Sequence, residues 1–328
     1  MKILIELPTW LGDAVMATPA LENLFSAYPD AEVTLFGSYA ATEALKAHPR
    51  VEKSVVDTTR QGGIRVVKLY KTAKELGHFD LAISFRSHPY SRLLLFLTGS
   101  EERHRYKKVN NVSRHQVLRY QDFINTVTGQ INMPGPLRLY YPAKSYDRPT
   151  LGINPGASYG SAKRWYPEKF AEVAVTLSGK YDIIVFGGPG EKRIADEIEE
   201  TVRKQKVKNI RNLAGQTSIP ELCSAIGGVD LFLTGDSGPM HIAAAYGVPT
   251  VALFGPTRHE ETCQWQNNRS ILLRKEMECA PCMKRTCPLK HHACMKEISA
   301  ADVLRAVAEL NETHEWPSNT KEPKLITL

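Results

Sequence analysis

The sequence predicts an α/β protein made of two Rossmann-like units, and three observations lead to this fold class. Short apolar runs alternate with amphipathic segments over residues 2–97, and the same alternation restarts at residue 150. A stretch with two prolines, residues 137–149, separates the halves. Strands that alternate with helices form a parallel sheet with helices on both faces. We therefore expect domains at 1–145 and 150–310, and a loosely held polar tail at 311–328.

The first half shows the periodicities of four strands and four helices. The strands are predicted at 2–7, 32–36, 51–56 and 81–85, and the helices at 14–28, 39–47, 64–76 and 91–97. Asp13 falls in the predicted loop between the first strand and the first helix. This loop lies at the carboxyl edge of the sheet, where α/β proteins place their chemistry. Asp13 is therefore a candidate catalytic group, and the alternative is a helix N-cap.

The second half repeats the pattern. The strands are predicted at 150–154, 182–186, 207–212, 231–234 and 248–254, and the helices at 168–178, 191–204, 219–226, 240–246 and 299–310. The loop after the first of these strands carries Gly156, Ser158, Lys163 and Arg164. Small residues together with cations at the end of a strand suit a diphosphate.

The turn 235–238, Gly-Asp-Ser-Gly, follows a buried strand and precedes a short helix. The first turn of a helix presents N–H groups and the positive end of its dipole, which favours a phosphate. Asp236 would repel a phosphate, so it fits better as an acceptor for ligand hydroxyls. The alternative is that Asp236 or Ser237 only caps the helix.

Composition narrows the class of protein. The chain has 328 residues, 42% of them hydrophobic and 23% charged, with a net charge of +7. It contains no apolar run near the ~20 residues that a membrane span needs, and no signal-peptide pattern. We therefore expect a cytosolic protein with an anionic partner, which leaves nucleotide, anionic lipid or nucleic acid. The sequence shows no nucleic-acid binding motif, so we expect no nucleic-acid partner.

Two further clusters are notable. Residues 101–120 hold six Lys or Arg and two His against two Glu, which predicts either a solvated face or a patch for a phosphate- or carboxylate-bearing acceptor.

The cysteine-rich loop 278–295 contains Cys279, Cys282, Cys287 and Cys294 in the spacing C-x2-C-x4-C-x6-C. That spacing suits a structural zinc site, and the alternative is a loop of reduced thiols.

Five segments taken together resemble the family 9 glycosyltransferases, the ADP-heptose:lipopolysaccharide heptosyltransferases. They are WLGDAVMATPAL (10–21), SFRSHPYSRLLLFLTG (84–99), PGASYGSAKRW (155–165), NLAGQTSI (212–219) and TGDSGPMHIAAAYGVPTVALFGPT (234–257). They follow the order of the family and are spread over most of the chain. The PGA-x-x-G-x-AKRW element most resembles the subgroup that adds the second heptose. The cysteine-rich loop resembles an insertion found in part of that subgroup, so we expect it to lie outside the chemistry.

The resemblance implies the GT-B architecture, two Rossmann-like domains facing each other across a cleft. The N-terminal domain would bind the acceptor and the C-terminal domain ADP-heptose. The implied reaction is inverting transfer of L-glycero-D-manno-heptose from ADP-heptose to the first inner-core heptose of lipopolysaccharide. It requires no cofactor and no metal at the reacting centre. The acceptor would be lipid A–Kdo–heptose, met at the cytoplasmic face of the inner membrane by a cytoplasmic or peripheral enzyme.

The resemblance also assigns roles to residues. Asp13, beside Gly12, matches the proposed general base, Lys163 the lysine on the diphosphate, and Asp236 the aspartate that holds heptose hydroxyls. The other matching donor-site positions are Gly156, Ser158, Ser237, Gly238, Met240 and His241. Family members often place an acidic residue near the ribose just before the helix at 219. Pro220 occupies that place here, and Glu221 follows it.

Three other functions stay open at this point. One is addition of the first heptose by a related heptosyltransferase, a choice that rests on resemblance. Another is a nucleotide-sugar epimerase on the same scaffold, which would act without an acceptor. The third is a non-catalytic, metal-stabilised binding protein centred on the cysteines. Asp13, Lys163 and Asp236, each predicted at the end of a strand, favour the transferase.

Overall fold

The computed structural model describes residues 1–108, 113–312 and 322–328. The chain divides into two compact units, 1–140 and 141–328, where the sequence predicts domains at 1–145 and 150–310. No helix in the described ranges has both the length and the apolar character to cross a membrane.

Unit 1 is a parallel sheet with helices between successive strands. Its elements are β1 Lys2–Glu6, α1 Leu11–Met16, α2 Thr18–Ala27, β2 Glu32–Gly37, α3 Tyr39–Leu45, β3 Val51–Val56, α4 Arg65–Leu76, β4 Leu81–Ser84, α5 Pro89–Leu97, β5 Glu102–Arg105 and α6 Gln116–Thr128. The strand order is β3-β2-β1-β4-β5, and every pairing is parallel. The central strand β1 pairs with β2 on one side and β4 on the other, and Ile3 lies opposite Val33 of β2 and Leu81 of β4. Strand β1 is therefore buried between two neighbours.

Unit 2 repeats the design around a larger sheet. Its elements are β6 Thr150–Asn154, α7 Pro167–Leu177, β7 Asp182–Val185, α8 Lys192–Lys204, β8 Ile210–Asn212, α9 Ile219–Gly227, β9 Leu231–Gly235, α10 Gly238–Ala245, β10 Thr250–Phe254, α11 His259–Thr262, β11 Ser270–Arg274, α12 Ala293–Lys296, α13 Ala300–Glu312 and β12 Lys324–Thr327. The strand order is β12-β11-β10-β9-β6-β7-β8. Strands β6, β9 and β10 are buried at every position, which is why they read as unbroken apolar runs.

One predicted helix differs from the structure, and the sequence prediction did not include β5, α6, β11, α11 and α12. The predicted helix 14–28 is two helices, α1 and α2, which meet at Ala17 just before Pro19. Helix α1 begins at Leu11, so Asp13 lies in its first turn and Trp10, not Asp13, holds the N-cap position. Proline at an early helical position starts a new helix, which explains the break.

The prediction of a loosely held tail at 311–328 is wrong at both ends of that range. Asn311 and Glu312 complete α13, and residues 324–327 form β12, which pairs in parallel with β11 at the sheet edge. Residues 313–321, in the middle of the predicted tail, lie outside the described ranges. A four-residue edge strand preceded by polar residues has too weak a periodicity to be found from sequence.

A buried ion cluster ties the strand ends of unit 1 together. The Arg86 guanidinium lies 3.2 Å from Glu6 and 3.2 Å from Asp57, and its Nε donates to the Leu7 carbonyl at 2.7 Å. Burial by itself raises the pKa of Asp57, but hydrogen bonds from Thr59 and the Arg86 charge outweigh it and hold that pKa below 3.8. The cluster joins the carboxyl ends of β1, β3 and β4, since these residues end or follow those strands.

We predict that Arg86→Met lowers the free energy of unfolding by about 3 kcal/mol at pH 7, because it leaves two carboxylates buried without their cation. Arg92→Met, on the exposed surface of α5, is the matched control and should change it by less than ~0.5 kcal/mol. The Asp57 contribution is present above its ordinary pKa of 3.8 and is lost as the pH falls through the lower folded value. The difference from wild type should therefore narrow below about pH 4 in urea titrations; a difference independent of pH would contradict this.

Candidate active site

The site in unit 2 is built on an ion pair at the carboxyl edge of its sheet. Asp236 directly follows β9, and Lys163 ends a short 3-10 turn, Ser161–Lys163, after β6. The Lys163 ammonium lies 2.5 Å from Asp236 Oδ2, and the two side chains are only 12% and 6% exposed. Parallel pairing of β6 with β9 brings these two loops together. The structure therefore joins two residues predicted from separate motifs.

Thr257 completes this arrangement and was not predicted. Its hydroxyl donates to Asp236 Oδ2 at 2.6 Å, from the loop that follows β10. The Lys163 ammonium also sits 4.7 Å from the ring centroid of Tyr159, a cation–π contact. Sequence placed Thr257 in a matched segment but offered no signal for its role, since a threonine after a strand is unremarkable. Together these contacts compensate the burial of the Asp236 charge.

The predicted glycine and serine positions surround this pair. Asn154 donates from Nδ2 to the Gly156 carbonyl and to Ser237 Oγ, both at 3.2 Å. A Cβ at Gly156 would lie 2.0 Å from Glu191 Cδ, so the glycine leaves room for that carboxylate. Glu191 in turn accepts from the Gly188 N–H at 2.8 Å. The glycine loop 187–190 thus contacts residues 155–163, here called the Lys163 loop, through Glu191. The sequence does not identify Glu191 as a site residue.

A helix follows Asp236 as predicted, but it begins at Gly238, two residues before the predicted start. Ser237 is the N-cap position of α10, without a side-chain cap hydrogen bond, and Gly238 is the first helical residue. Pro239 has no N–H, and the Met240 N–H donates to the Ser237 carbonyl at 3.1 Å. The backbone N–H groups of Ser237 and Gly238 are therefore the ones that suit an anion. Met240 and His241 are buried, with Met240 in a small apolar cluster beneath the turn. Ser158, by contrast, is exposed on its loop.

Glu221 has a local structural role. It forms a capping box with Ser218, whose N–H and hydroxyl both donate to Glu221 Oε2 at 2.8 Å. These hydrogen bonds hold the pKa of Glu221 below its usual value. The carboxylate is therefore already engaged at the start of α9, where capping explains its presence.

The cysteine-rich loop 278–295 packs directly on the Lys163 loop. Tyr159 donates from its hydroxyl to the Met283 carbonyl at 2.7 Å. The Ala162 N–H donates to the Arg285 carbonyl at 3.0 Å. The loop that was expected to lie outside the chemistry thus contacts the Tyr159 side chain before the turn that ends in Lys163 and the Ala162 backbone within that turn.

His292 strengthens the same contact. Its Nε2 lies 2.9 Å from the Ala162 carbonyl, and its Nδ1 lies 3.1 Å from the Tyr166 hydroxyl. One ring therefore spans the start and the end of the segment that carries Lys163. A side chain that forms two hydrogen bonds to one segment fixes that segment, because each hydrogen bond limits the movement that could break the other.

Cys294 interacts electrostatically with the other three cysteines of this loop. Burial raises the pKa of the Cys294 thiol to about 11, with smaller contributions from Cys282, Cys287 and Cys279. His291 Nε2 lies 4.0 Å from the Cys279 sulfur. Even so, no three His, Cys, Asp or Glu side chains in the described ranges form a group arranged to hold a metal ion.

In unit 1, Asp13 interacts with a buried tyrosine of α6. The Tyr120 hydroxyl forms a hydrogen bond with the Asp13 carboxylate, and the pKa of Tyr120 is raised well above 10.0 by burial first, then by the Asp13 charge and by Tyr106. Tyr120 is therefore protonated at neutral pH and acts as a donor to Asp13. Asp13 is half-buried beside Gly12, whose exposure is similar. Sequence analysis missed Tyr120 because it lies 107 positions further on.

The basic segment forms a wall of one surface cavity. The cavity measures about 640 Å³ and lies against β5 and α6. Its cations are Arg103, Arg105, Lys107, Arg114 and Arg119. Arg114 pairs with Asp122 at 2.9 Å, and Arg105 donates to the Ser87 carbonyl at 3.0 Å. Of the two sequence interpretations, this concave arrangement favours an anion-binding patch over a flat solvated face.

Comparison with known proteins assigns the chain to a family. The model of glycosyltransferase family 9 (heptosyltransferase) matches residues 69–293. The chain belongs to glycosyltransferase family 9. It is therefore a glycosyltransferase, as the segments 10–21 to 234–257 predict.

Individual relatives agree with the family assignment. The lipooligosaccharide heptosyltransferase 2 of Campylobacter jejuni is 40% identical over 94% of this chain and 98% of its own length. The lipopolysaccharide heptosyltransferase 2 of Escherichia coli K12 is 28% identical over 80% of this chain and 85% of its own. The solved structure of E. coli ADP-heptose LPS heptosyltransferase II superposes with a TM-score of 0.76 at 23% identity, over 94% of this chain and 98% of that one. This likeness confirms the predicted two-unit α/β fold class of the GT-B glycosyltransferases.

The contacts of His292 generate a prediction for the Lys163 loop. His292→Ala should speed amide hydrogen exchange of residues 157–164 about 30-fold, because it removes two hydrogen bonds worth roughly 1 kcal/mol each from one loop. His291→Ala, the neighbouring histidine, is the matched control. We expect the control to exchange like wild type; equal effects of both substitutions would show that His292 has no special hold on the loop.

Proposed function

We propose that this family 9 enzyme transfers a heptose from ADP-heptose to the first inner-core heptose of lipopolysaccharide, the heptosyltransferase II reaction. The observation that carries the proposal is the buried Lys163–Asp236 pair, 2.5 Å apart, beside the start of α10. It combines a cation for a diphosphate, a carboxylate for sugar hydroxyls and a helix N-terminus in one place. The relatives named heptosyltransferase 2, at up to 40% identity, support the choice of reaction.

Asp13 is the proposed general base. The acceptor hydroxyl attacks the anomeric carbon of the donor, the bond from that carbon to the diphosphate oxygen breaks, and configuration inverts. Asp13 takes the proton of the attacking hydroxyl, and Tyr120 orients the carboxylate through its hydrogen bond. A base positioned in this way contributes about 10²- to 10⁴-fold. The transition state resembles an oxocarbenium ion, so an ionised carboxylate nearby is also electrostatically favourable.

The departing ADP needs stabilisation of its new negative charge. In this proposal the Lys163 ammonium turns from Asp236 to the diphosphate. The backbone N–H groups at the start of α10 donate to the same diphosphate, and Asp236 accepts hydrogen bonds from heptose hydroxyls. Lys163 reorients when the donor binds, before the reaction, and the dipole of α10 is already fixed, so neither group has to move as the leaving group departs. No separate catalytic acid is needed, since diphosphate is already a good leaving group. Gly238, which has no Cβ, lets the backbone at the start of α10 lie close to the ligand.

The acceptor is the proposed ligand of unit 1. Lipid A–Kdo–heptose carries phosphates and carboxylates, which the cationic cavity against β5 and α6 would match. The proposal includes a location in the cytoplasm, where the enzyme would meet its lipid-linked acceptor at the surface of the inner membrane. The epimerase alternative uses no acceptor, and nothing in it would explain a cavity with five cations.

The direct test is release of ADP from ADP-heptose, with and without an O-deacylated acceptor bearing one heptose. The proposal expects release only with acceptor and a heptosylated product by mass spectrometry. Release without acceptor would favour a hydrolase or epimerase-like activity. Transfer to the acceptor lacking the first heptose would instead identify addition of the first heptose.

We predict that Asp13→Asn lowers kcat at least ~10²-fold, the scale of a lost general base. Asp30→Asn, on an exposed turn of unit 1, is the matched control and should keep wild-type turnover. Tyr120→Phe should reduce kcat less and move the acidic limb of the pH profile to higher pH, because the lost hydrogen bond favoured the ionised carboxylate. If Asp13→Asn keeps wild-type turnover, Asp13 is not the general base and has only a structural role in α1.

The proposal also includes a structural zinc ion held by Cys279, Cys282, Cys287 and Cys294. The C-x2-C-x4-C-x6-C spacing and the electrostatic effect of the other three thiols on Cys294 support it. In the described ranges these side chains are not grouped around one point, so zinc binding would have to draw the four sulfurs together. Four thiolates form a closed tetrahedral set, which would leave no position for catalysis. The ion would serve the loop that packs on Tyr159 and Ala162 rather than the reacting centre.

We predict about one zinc per chain by mass spectrometry of protein purified under reducing conditions. Cys282→Ser should lose the metal, while Cys223→Ser, in the core of unit 2, should retain it. If the wild-type protein contains no metal even after growth with added zinc, the zinc site is contradicted. The alternative, a loop of reduced thiols, would then be correct.

A further inference from the structure

Helix α4 exposes an apolar face. Val66, Val67 and Tyr70 are 48%, 48% and 49% exposed, and Ile64, just before the helix, is 72% exposed. Their spacing of three and four residues puts Val66, Val67 and Tyr70 on one side of the helix. A helix on the surface of a soluble domain normally shows its polar side to solvent. An apolar outer face therefore marks an interaction site.

The side of α4 next to this face already has its partner. Leu69 and Ala73 are buried in a cluster that they share with Leu94 and Leu95 of α5. The exposed residues thus do not belong to the core of unit 1. They are a second apolar surface on the same helix, and packing of the domain does not account for them.

The charges on α4 identify the partner. The sequence RVVKLYKTAKEL carries four cations and one carboxylate, Glu75. Lys71 and Lys74 are exposed, and the Lys74 ammonium lies 5.2 Å from the ring centroid of Tyr70. On the neighbouring α5, Phe96 is 64% exposed, with the Arg103 guanidinium 5.4 Å from its ring. Apolar side chains fringed by lysines on flexible stems match a surface with anionic headgroups above acyl chains.

We propose that the outer face of α4 (Ile64, Val66, Val67, Tyr70, Lys71 and Lys74) docks unit 1 on an anionic phospholipid bilayer. Val66, Val67 and Tyr70 enter the interface, and the lysines contact lipid phosphates. A second copy of the chain is a poorer occupant, because pairing this face with itself would bring like charges together. The inference rests on the proposed function, since a lipid-linked acceptor is what makes a membrane surface useful.

The test is co-sedimentation of the full-length protein with vesicles of phosphatidylcholine alone or with one quarter phosphatidylglycerol. Wild type should bind only the anionic vesicles, and binding should weaken with salt. Lys71→Glu/Lys74→Glu should bind at least ~10-fold more weakly, since each lysine near such a surface contributes about fivefold. Val66→Ser/Val67→Ser should also bind more weakly. The matched control, Lys206→Glu/Lys208→Glu on an exposed part of unit 2, makes the same charge change and should bind like wild type.

Other outcomes have definite meanings. Equal binding of the α4 variants and the control, or equal binding of wild type to neutral vesicles, would overturn the proposal. A change of oligomeric state in the α4 variants would assign the face to a second copy instead. Loss of their activity on the O-deacylated acceptor, which needs no membrane, would assign it to acceptor recognition. If the wild type binds anionic vesicles but transfers no heptose, the membrane-docking surface is supported and only the proposed function is overturned.

Discussion

The ion pair between Lys163 and Asp236 is the interaction on which the structure of unit 2 depends most. A carboxylate that is 6% exposed at the end of a buried strand is strongly unfavourable unless a cation and hydrogen-bond donors compensate it. Lys163 and Thr257 supply both. Removing one partner of such a pair typically costs about 3–5 kcal/mol, so the pair also constrains the two loops that carry it. In the proposed reaction the ligand takes over part of this compensation, which links donor binding to the local structure.

The surroundings of the pair are best understood as its supports. Tyr159 covers the ammonium, and the cysteine-rich loop 278–295 holds the backbone of the Lys163 turn at Ala162 from the other side. Unit 1 has a parallel device, in which Arg86 joins Glu6 and Asp57 beneath the loops that precede α1 and α4. In both units a buried charge cluster ties together the carboxyl ends of strands, the edge where parallel sheets place their sites.

Much of this architecture follows from sequence, because fully buried parallel strands read as continuous apolar runs. β6, β9 and β10 were located to within two residues for that reason. The turn containing Asp236 and the loop containing Lys163 were found as well, since glycines and charges after a buried strand are a specific signal. The zinc site and the roles of single donor-site residues stay predictions.

What sequence could not supply is long-range pairing. Nothing local indicates that Lys163 meets Asp236, that Thr257 joins them or that Tyr120 reaches Asp13. The first two contacts depend on strand order, and the third depends on how α1 packs against α6. Gly156 was interpreted as room for a ligand, yet in the structure Glu191 occupies that space. The edge strand β12 escaped notice because its stability comes from pairing with β11 rather than from its own pattern.

The most direct test of the central claim is calorimetric titration of ADP into wild type, Lys163→Met and Lys208→Met. Our account predicts that Lys163→Met binds ADP at least ~10-fold more weakly, as expected for loss of a charge-assisted contact to a diphosphate. It also predicts that the exposed control Lys208→Met binds like wild type, with both variants folded by circular dichroism. Equal ADP affinity of all three proteins would contradict the account, because the Lys163–Asp236 pair would then be structural and the donor site would lie elsewhere.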